Sequence, residues 1–500
     1  MNSYRPAALN ISFVRLRLAS LLVAASLVVP VQAQPVGIPT LGAASSVELS
    51  PAVERTLGDA IMEQGRRDPS YIGDPDVNQY LTDMGRELVA QSAGGVQHIT
   101  VFAVRDPQIN AFALPGGYVG INSGLVVSSK SESELASVLA HEIGHVLQRH
   151  VARGMTQQSR SNHIMLASMA AALLAGLAGS GDLAMGMATF GQAAAIDQQL
   201  GFSRQAEQEA DRIGFELLRK AGFDPRGMAQ MFGQLQAESR LNEAGGTYTS
   251  THPLSIQRMS DIENRTREFP AVNHKDSDAF WYVRAKLRVI QASGNQAQRN
   301  VLSQLQQAAN QQTGVEQSAA WYGLAYAAWS RKDFAQAETA LQNAQKNGVS
   351  SPEIASLAAT LAMRQGGDGS QALKLAQAAW SRWPTNQGVA MAVVSALQNA
   401  RRDKEVVAFL AQRIKQWPDA PRLYQLQAQS YERLGQPIEA RSTMATYYEK
   451  TGAFPTAVEQ LTQARGLSKD FYVQSELDVR IRTLKERLKS DRELLQRFKS

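Results

Sequence analysis

The stretch "LASVLAHEIGHVLQRHV", residues 135–151, decides the fold of the first half of the chain. Its apolar residues recur at α-helical spacing: Leu135, Val138, Leu139, Val146 and Leu147. Ser131 and Glu134, just upstream, have the spacing of a capping box and predict where this helix begins. Because the helix is apolar almost all round, we expect it to be buried.

Two histidines of this helix, His141 and His145, are four residues apart and therefore share one face. Their imidazoles can bind one zinc ion at ~2.0–2.1 Å, while the adjacent Glu142 holds a carboxylate beside the site as a candidate general base. The alternative is a helix with surface histidines. Burial argues against it, because buried histidines need polar partners.

A second acidic helix is predicted in "SRQAEQEADRIGFELL", residues 203–218, where Glu207 and Asp211 are also four apart. A carboxylate from this segment would complete a His, His, Glu ligand set with one position left open. Asp211 would accept the free N–H of a liganding histidine. Glu209 competes with Glu207 for the third-ligand position, but only Glu207 shares a helix face with Asp211.

Three segments carry a family resemblance: residues 110–126 ("NAFALPGGYVGINSGLV"), 134–151 and 206–218. Together they resemble the gluzincin metallopeptidases related to the CAAX prenyl proteases and the heat-shock membrane protease. The resemblance implies an α+β zincin-type metalloprotease domain, mainly helical with a small sheet, that binds one Zn²⁺ per chain. The implied roles are zinc ligation by His141, His145 and Glu207, general-base catalysis by Glu142, and a supporting catalytic role for Asp211.

The strand "HITVFAVRD", residues 98–106, and a hairpin over residues 109–126 with its turn at 115–117 precede the zinc helix. In related proteases an edge strand holds the substrate as an added strand. The candidate edge residues are Asn110, Ala111, Phe112, Ala113 and Leu114. An ordinary sheet strand is the alternative interpretation.

The N-terminus has the pattern of a secretory signal peptide. Met1–Arg17 contains three arginines and no acid, Leu18–Val29 is apolar, and the segment ends at Ala33. A retained anchor is the alternative, but the apolar run is shorter than the ~20 residues of a bilayer span. We therefore expect cleavage after Ala33, a periplasmic location, and an extended leader over residues 34–47.

Composition limits the partners and the metal chemistry. Without the signal, 48 basic residues face 45 acidic ones, so nothing indicates nucleic-acid binding. The chain has no cysteine, which leaves only nitrogen and oxygen ligands for a metal. Residues 155–199 are rich in Met, Ala and Gly and predict an apolar lid or a membrane-proximal segment that contacts a membrane surface. A plain core helix and a true membrane span are the alternatives.

The C-terminal half has a repeating pattern. Helical patterns restart near residues 318, 352, 387 and 421, which is tetratricopeptide spacing. An ordinary helical bundle is the alternative. We expect a metalloprotease domain over residues 48–275 and an all-α tetratricopeptide solenoid over residues 276–500, ending in a polar capping helix.

The chain has five other histidines. His252 precedes Pro253 in "YTSTHPLSIQRMSDI", residues 248–262, and is either a structural turn residue or a regulatory fourth ligand that keeps the enzyme latent. His150, five residues past His145, is expected at the surface. Structural roles are expected for His98, His163 and His274.

These expectations combine into a periplasmic zinc-dependent endopeptidase with chaperone-like activity. The resemblance implies that it degrades or assists unfolded or misassembled outer-membrane β-barrel proteins and works with the barrel-assembly machinery. The alternative is a tetratricopeptide adaptor or chaperone whose protease domain is latent or inactive.

Overall fold

The computed structural model describes residues 50–93, 98–156, 202–241, 247–270, 272–346, 350–364 and 369–497. The elements below all belong to one compact unit, residues 44–500. The predicted signal peptide and leader lie outside the described residues, and so does the predicted apolar segment from residue 157 onward. No helix within the described ranges is long and apolar enough to cross a membrane.

The first half of the chain is mainly helical around a small sheet. Its elements before the first long gap are α1 Pro51–Gly65, β1 Tyr71–Ile72, α2 Pro75–Val89, β2 Thr100–Val104, β3 Ala111–Leu114, β4 Tyr118–Asn122, α3 Ser123–Ser128, α4 Glu132–Leu147 and α5 His150–Thr156. Helices α1 and α2 begin after Ser50 and Asp74, whose side chains accept backbone N–H bonds, and each has proline in its first turn.

The four strands lie in the order β1-β2-β4-β3. Strand β2 pairs parallel with β4, and β1 and β3 complete the sheet with antiparallel pairs. The predicted hairpin is confirmed: β3 and β4 are joined by a tight turn in which Gly116 and Gly117 have φ values of 76° and 86°. Among the described strands β3 lies at one edge of the sheet, and its four residues are buried.

Helix α4 is the predicted zinc helix, and it is buried from Glu132 to His145. The Ser131 hydroxyl accepts from the Glu134 N–H as the capping box predicts, whereas the Glu134 carboxylate accepts from the Lys130 N–H. The helix packs in a core formed by α2, the sheet and the helices that follow, so burial rather than polar contacts fixes its position.

Four helices complete this half of the chain: α6 Arg204–Lys220, α7 Arg226–Leu241, α8 Thr247–Thr251 and α9 Ile256–Glu268. Helix α6 approaches α4 unusually closely at two glycines. A Cβ at Gly144 would lie 2.8 Å from the Ala210 carbonyl oxygen, and one at Gly214 would lie 2.9 Å from the His141 N–H nitrogen. These glycines let the two helices carry their polar side chains to one point.

The second half is all helical. It consists of α10 Asp278–Gln291, α11 Gly294–Gln311, α12 Gly314–Ser330, α13 Phe334–Gln345, α14 Pro352–Ala362, α15 Ser370–Arg382, α16 Gln387–Asn399, α17 Asp403–Gln416, α18 Pro421–Arg433, α19 Pro437–Lys450, α20 Phe454–Leu467 and α21 Phe471–Arg497. Three predicted restarts coincide with the first residues of α14, α16 and α18. The predicted fold class, an α+β domain followed by a helical solenoid, is confirmed.

The solenoid packs directly against the first half. Lys286 of α10 forms ion pairs with Asp74 and Asp76 at the start of α2, at 2.8 and 2.7 Å. The last helix, α21, is more than the predicted polar cap. Its buried leucines join one hydrophobic cluster with Leu57 and Phe102 from α1 and the sheet.

Candidate metal centre

Four buried side chains converge between α4, α6 and the segment after α8. His141, His145, Glu207 and His252 each offer one donor atom, and these four atoms all lie within 4.8 Å of one another. None of the four residues is more than 1% exposed. The structure thus brings together the three predicted ligands and the predicted regulatory histidine.

The distances fit a small tetrahedral metal ion. The Nε2 atoms of His141 and His145 are 3.0 Å apart, and each lies 3.5 Å from an oxygen of Glu207. Donors that surround a tetrahedral zinc at ~2.0–2.1 Å lie roughly 3.3 Å from one another. A neutral imidazole and carboxylate set of this size matches zinc, and the residues present therefore fit the ion.

His252 closes the cluster from the side of Glu142. Its Nδ1 lies 3.0 Å from Glu207 Oε1 and 3.4 Å from His141 Nε2, while its Nε2 lies 3.5 Å from Glu142 Oε1. The ring is stacked between Tyr248 and Phe202, at centroid distances of 4.7 and 5.7 Å. His252 therefore lies between the ligand cluster and the candidate general base.

Glu142 is fully buried beside the cluster. Its Oε1 accepts a 3.4 Å hydrogen bond from the Tyr248 hydroxyl, and burial together with the Glu142 charge raises the pKa of that hydroxyl well above its usual value. Tyr248 is therefore a neutral donor. Within the described part of the chain, Glu142 Oε2 has no hydrogen-bonding partner. A buried carboxylate oxygen of this kind is suited to hold a water molecule.

A second layer of groups orients the ligands. Asp211 Oδ1 lies 2.8 Å from His141 Nδ1, as the sequence spacing predicted. His150 Nδ1 lies 3.0 Å from His145 Nδ1, and His150 Nε2 lies 3.1 Å from Glu209. The acidic residue at the ligand cluster is Glu207, and Glu209 faces His150 instead.

The prediction that His150 is a surface residue is wrong, because its side chain is only 3% exposed. Helix α4 ends at Leu147, and Arg149 has a φ of 52°, so the chain turns before α5 begins at His150. Counting five residues along one continuous helix placed His150 away from the cluster. The left-handed backbone conformation of Arg149 places the His150 side chain against His145.

Arg258 of α9 is a site residue that the sequence analysis missed. Its guanidinium donates to both oxygens of Asp211, at 2.6 and 2.7 Å, and forms a 2.7 Å ion pair with Glu207. The residue lies within the quoted stretch 248–262, but nothing in the local pattern marks it. A lone arginine in a helix that follows a loop is ordinarily a solvated residue.

Electrostatics set the charge state of the cluster. Burial opposes a charge on His141, but contacts with Asp211 and Glu207 outweigh it and raise the pKa of the ring to about 10. Burial also opposes a charge on Glu207, whose pKa is nevertheless held well below its usual value by His252, His141 and His145. Burial lowers the pKa of His145 well below normal, so that ring is neutral. Metal binding would therefore release a proton from His141.

The candidate edge strand is paired through alternate residues. The Asn122 N–H donates to the Asn110 carbonyl, and Phe112 lies opposite Gly120. Because hydrogen-bonded pairs alternate in antiparallel strands, Phe112 also bonds toward β4. The backbone groups of Ala111 and Ala113 consequently point away from β4.

Two of the remaining histidines have ordinary partners. His274 lies 3.3 Å from Glu132 and 3.2 Å from the Gly222 carbonyl, and His98 lies 3.2 Å from the Thr100 hydroxyl. Their contacts are consistent with the expected structural roles. His163 lies outside the described residues.

Comparisons with known proteins place this geometry in context. Residues 75–266 match the family model described as peptidase family M48. The chain is 35% identical over 308 residues to the beta-barrel assembly-enhancing protease of Yersinia pestis and 33% identical over 306 residues to that of Escherichia coli K12. Each alignment covers 61% of this chain and 62% of the relative. The mitochondrial metalloendopeptidase OMA1 of Schizosaccharomyces pombe is 32% identical over 201 residues, which is 40% of this chain and 56% of that protein.

Proposed function

Because residues 75–266 form a domain of peptidase family M48, we propose that this protein is a zinc-dependent endopeptidase whose metal ligands are His141, His145 and Glu207. The observation that carries the proposal is the buried cluster itself. Three nitrogens and a carboxylate converge at zinc-like separations, next to Glu142, whose Oε2 has no hydrogen-bonding partner among the described residues.

The side chains around the cluster have separate tasks. Zinc, when bound, supplies a Lewis acid that polarises the scissile carbonyl and activates water. Glu142 accepts the proton of the attacking water and returns it to the leaving amine. Asp211 fixes the orientation of the His141 ring through its 2.8 Å contact with Nδ1. The buried surroundings exclude bulk water from these transfers.

His252 gives the enzyme a latent resting state in this proposal. Its Nδ1 completes the donor cluster, and its Nε2 faces Glu142, so the ring occupies the space where substrate and water must react. Cleavage then requires the segment that carries His252 to move. A protease that encounters many folded proteins benefits from such restraint.

The substrates are unfolded segments that add to strand β3. The outward backbone groups of Ala111 and Ala113 would bind a substrate strand with little demand on its side chains. The names of the relatives from Yersinia pestis and Escherichia coli support a role in β-barrel assembly. We therefore propose a periplasmic location after signal-peptide removal, misassembled outer-membrane β-barrel proteins as clients, and the barrel-assembly machinery as partner. The alignments cover 62% of those relatives, so the whole protein's role is our proposal.

A second function is favoured by the position of His252. With the cluster closed, the chain would act as a tetratricopeptide adaptor or chaperone whose solenoid binds clients while the protease domain is latent. The two functions are separable, because client binding by the solenoid does not require Glu142. A chaperone assay on a cleavage-deficient variant distinguishes them.

The test is cleavage of an unfolded β-barrel protein by zinc-loaded protein and by Glu142→Gln. We expect the variant to keep one zinc per chain and to lose cleavage by ~10²–10⁴-fold, since general-base catalysis contributes about that much. Glu216→Gln is the matched control, because Glu216 lies on the same helix as Glu207 and its ion pair with Arg219 is at the surface. Cleavage that survives Glu142→Gln would contradict the proposed mechanism.

A further inference from the structure

Arg258 is buried at the back of the ligand cluster, with its side chain 2% exposed. Its Nε and Nη2 donate to the two oxygens of Asp211, and its Nη1 contacts both Glu207 Oε2, at 2.7 Å, and the Pro253 carbonyl oxygen, at 3.0 Å. One planar group thus contacts a proposed ligand, the residue that orients another ligand, and the backbone next to His252.

The positive charge of Arg258 offsets the free-energy cost of burying Glu207 and Asp211 next to each other. Glu207 and Asp211 are neighbouring buried carboxylates on α6, and burial of like charges is unfavourable without a counter-ion. Nitrogen atoms of the Arg258 guanidinium lie within 2.7 Å of oxygens of both carboxylates. Arg258 is therefore positioned as the counter-ion of both carboxylates.

The shape of Arg258 matters as much as its charge. A guanidinium presents its donors in a rigid plane, which permits a two-pronged bond to one carboxylate and a contact with a second. A lysine ammonium at the end of a flexible chain carries the same charge but cannot hold the same three acceptors at fixed angles. Arg258→Lys therefore separates geometry from charge.

We propose that Arg258 is a positioning residue of the metal centre: it fixes Glu207 and Asp211 in place and ties the His252 segment to them through the Pro253 carbonyl. The inference rests on the proposed zinc site. It adds a mechanical link, because any displacement of the His252 segment is resisted at the same guanidinium that holds the ligand carboxylate. Release of His252 and the rigidity of the ligand set are then coupled.

The primary test compares the zinc affinity of the parent protein and Arg258→Lys, by titration against a competing chelator. We expect the variant to bind zinc 10–100-fold more weakly, the usual effect of removing a group that supports metal ligands. With zinc at saturation, kcat should fall while KM stays near the parent value. Arg265→Lys, on the same helix and paired with Asp261 at the surface, is the control and should be unchanged.

A second measurement needs no change at Arg258. In the His252→Ala variant the segment supplies no zinc ligand of its own, and Arg258 still joins the Pro253 carbonyl to Glu207 and Asp211. We expect zinc loading to slow amide hydrogen exchange in residues 254–258 of this variant, since Pro253 has no amide hydrogen. Unchanged exchange there, with slower exchange near His141, would overturn the link.

The outcomes separate this inference from the proposed function. A parent protein that binds no zinc at the cluster would defeat the function and the inference together. If the parent binds zinc and cleaves its substrate, but Arg258→Lys has a zinc affinity within twofold of the parent, only the positioning role of Arg258 is overturned.

Discussion

Replacement of His252 by alanine should convert the protein from a latent to an active protease. The side chain lies between the proposed zinc ligands and Glu142, so its removal opens the space where substrate and water must meet. His141, His145 and Glu207 remain to bind zinc, and three protein ligands are the usual number in a catalytic zinc site.

The size of the effect follows from the contacts that hold His252 in place. A buried hydrogen bond to a charged group, here Glu207, contributes ~1.5–3 kcal/mol. The stack on Phe202 adds ~0.5–1.5 kcal/mol. A closed state favoured by about 3 kcal/mol leaves roughly one molecule in a hundred open, since each 1.4 kcal/mol is tenfold. We therefore expect kcat/KM for an unfolded substrate to rise by up to about 100-fold.

The assay is cleavage of a fluorescent, unfolded β-barrel segment by zinc-saturated protein, with zinc content measured on the same samples. His98→Ala is the control, because His98 is exposed and its ring contacts the Thr100 hydroxyl at 3.2 Å. Unchanged or lower activity of His252→Ala with zinc retained would refute latency. It would make His252 a group that stabilises the transition state, or a structural one.

Two further predictions concern the edge strand and a buried carboxylate. Ala113→Pro removes an N–H of β3 that points away from β4, and it should raise KM for unfolded substrates. KM for a peptide too short to add as a strand should change little. An equal rise of KM for both substrates would contradict strand addition. Burial raises the pKa of Glu63 to about 7 despite its ion pair with Arg487. The folded state therefore binds the proton more tightly than the unfolded state, and stability falls as pH rises from about 4.5 to 7, by up to about 3 kcal/mol at 1.36 kcal/mol per pH unit. The free energy of unfolding of Glu63→Gln, measured in urea, should equal that of the parent near pH 4.5 and exceed it at pH 8. A difference between the two proteins that does not depend on pH would refute this prediction.

Local periodicity was enough to predict the parts of the site that lie on one helix face. The four-residue spacings of His141 and His145, and of Glu207 and Asp211, follow from helix geometry alone, and the structure brings these pairs together. The hairpin was predictable for a similar reason, since Gly116 and Gly117 permit the positive φ values of its turn.

Contacts between distant elements were not predictable. Arg258 meets Asp211 across 47 residues because α9 packs against α6, and no local pattern records that packing. His150 was misplaced because one left-handed residue, Arg149, ended a helical register. The hydrophobic cluster that joins α21 to Leu57 was also invisible in the sequence.

That cluster affects how the solenoid can be tested. Deletion of residues from about 276 onward would expose Leu57 and Phe102 and remove Lys286 from Asp74 and Asp76. We expect such a truncated chain to aggregate, so a loss of client handling would not isolate the docking role. Substitutions on the exposed face of α21, such as Tyr472→Ser, test docking without opening the core.

The central claim, a zinc site built by His141, His145 and Glu207, is tested most directly by zinc bound per chain at equilibrium. The measurement compares the parent protein with Glu207→Ala and with the neighbouring Glu209→Ala. The account predicts one tightly bound zinc in the parent and in Glu209→Ala, and a loss of that zinc in Glu207→Ala. A parent protein that binds no zinc, or a Glu207→Ala variant that binds it as tightly as the parent, would contradict the account.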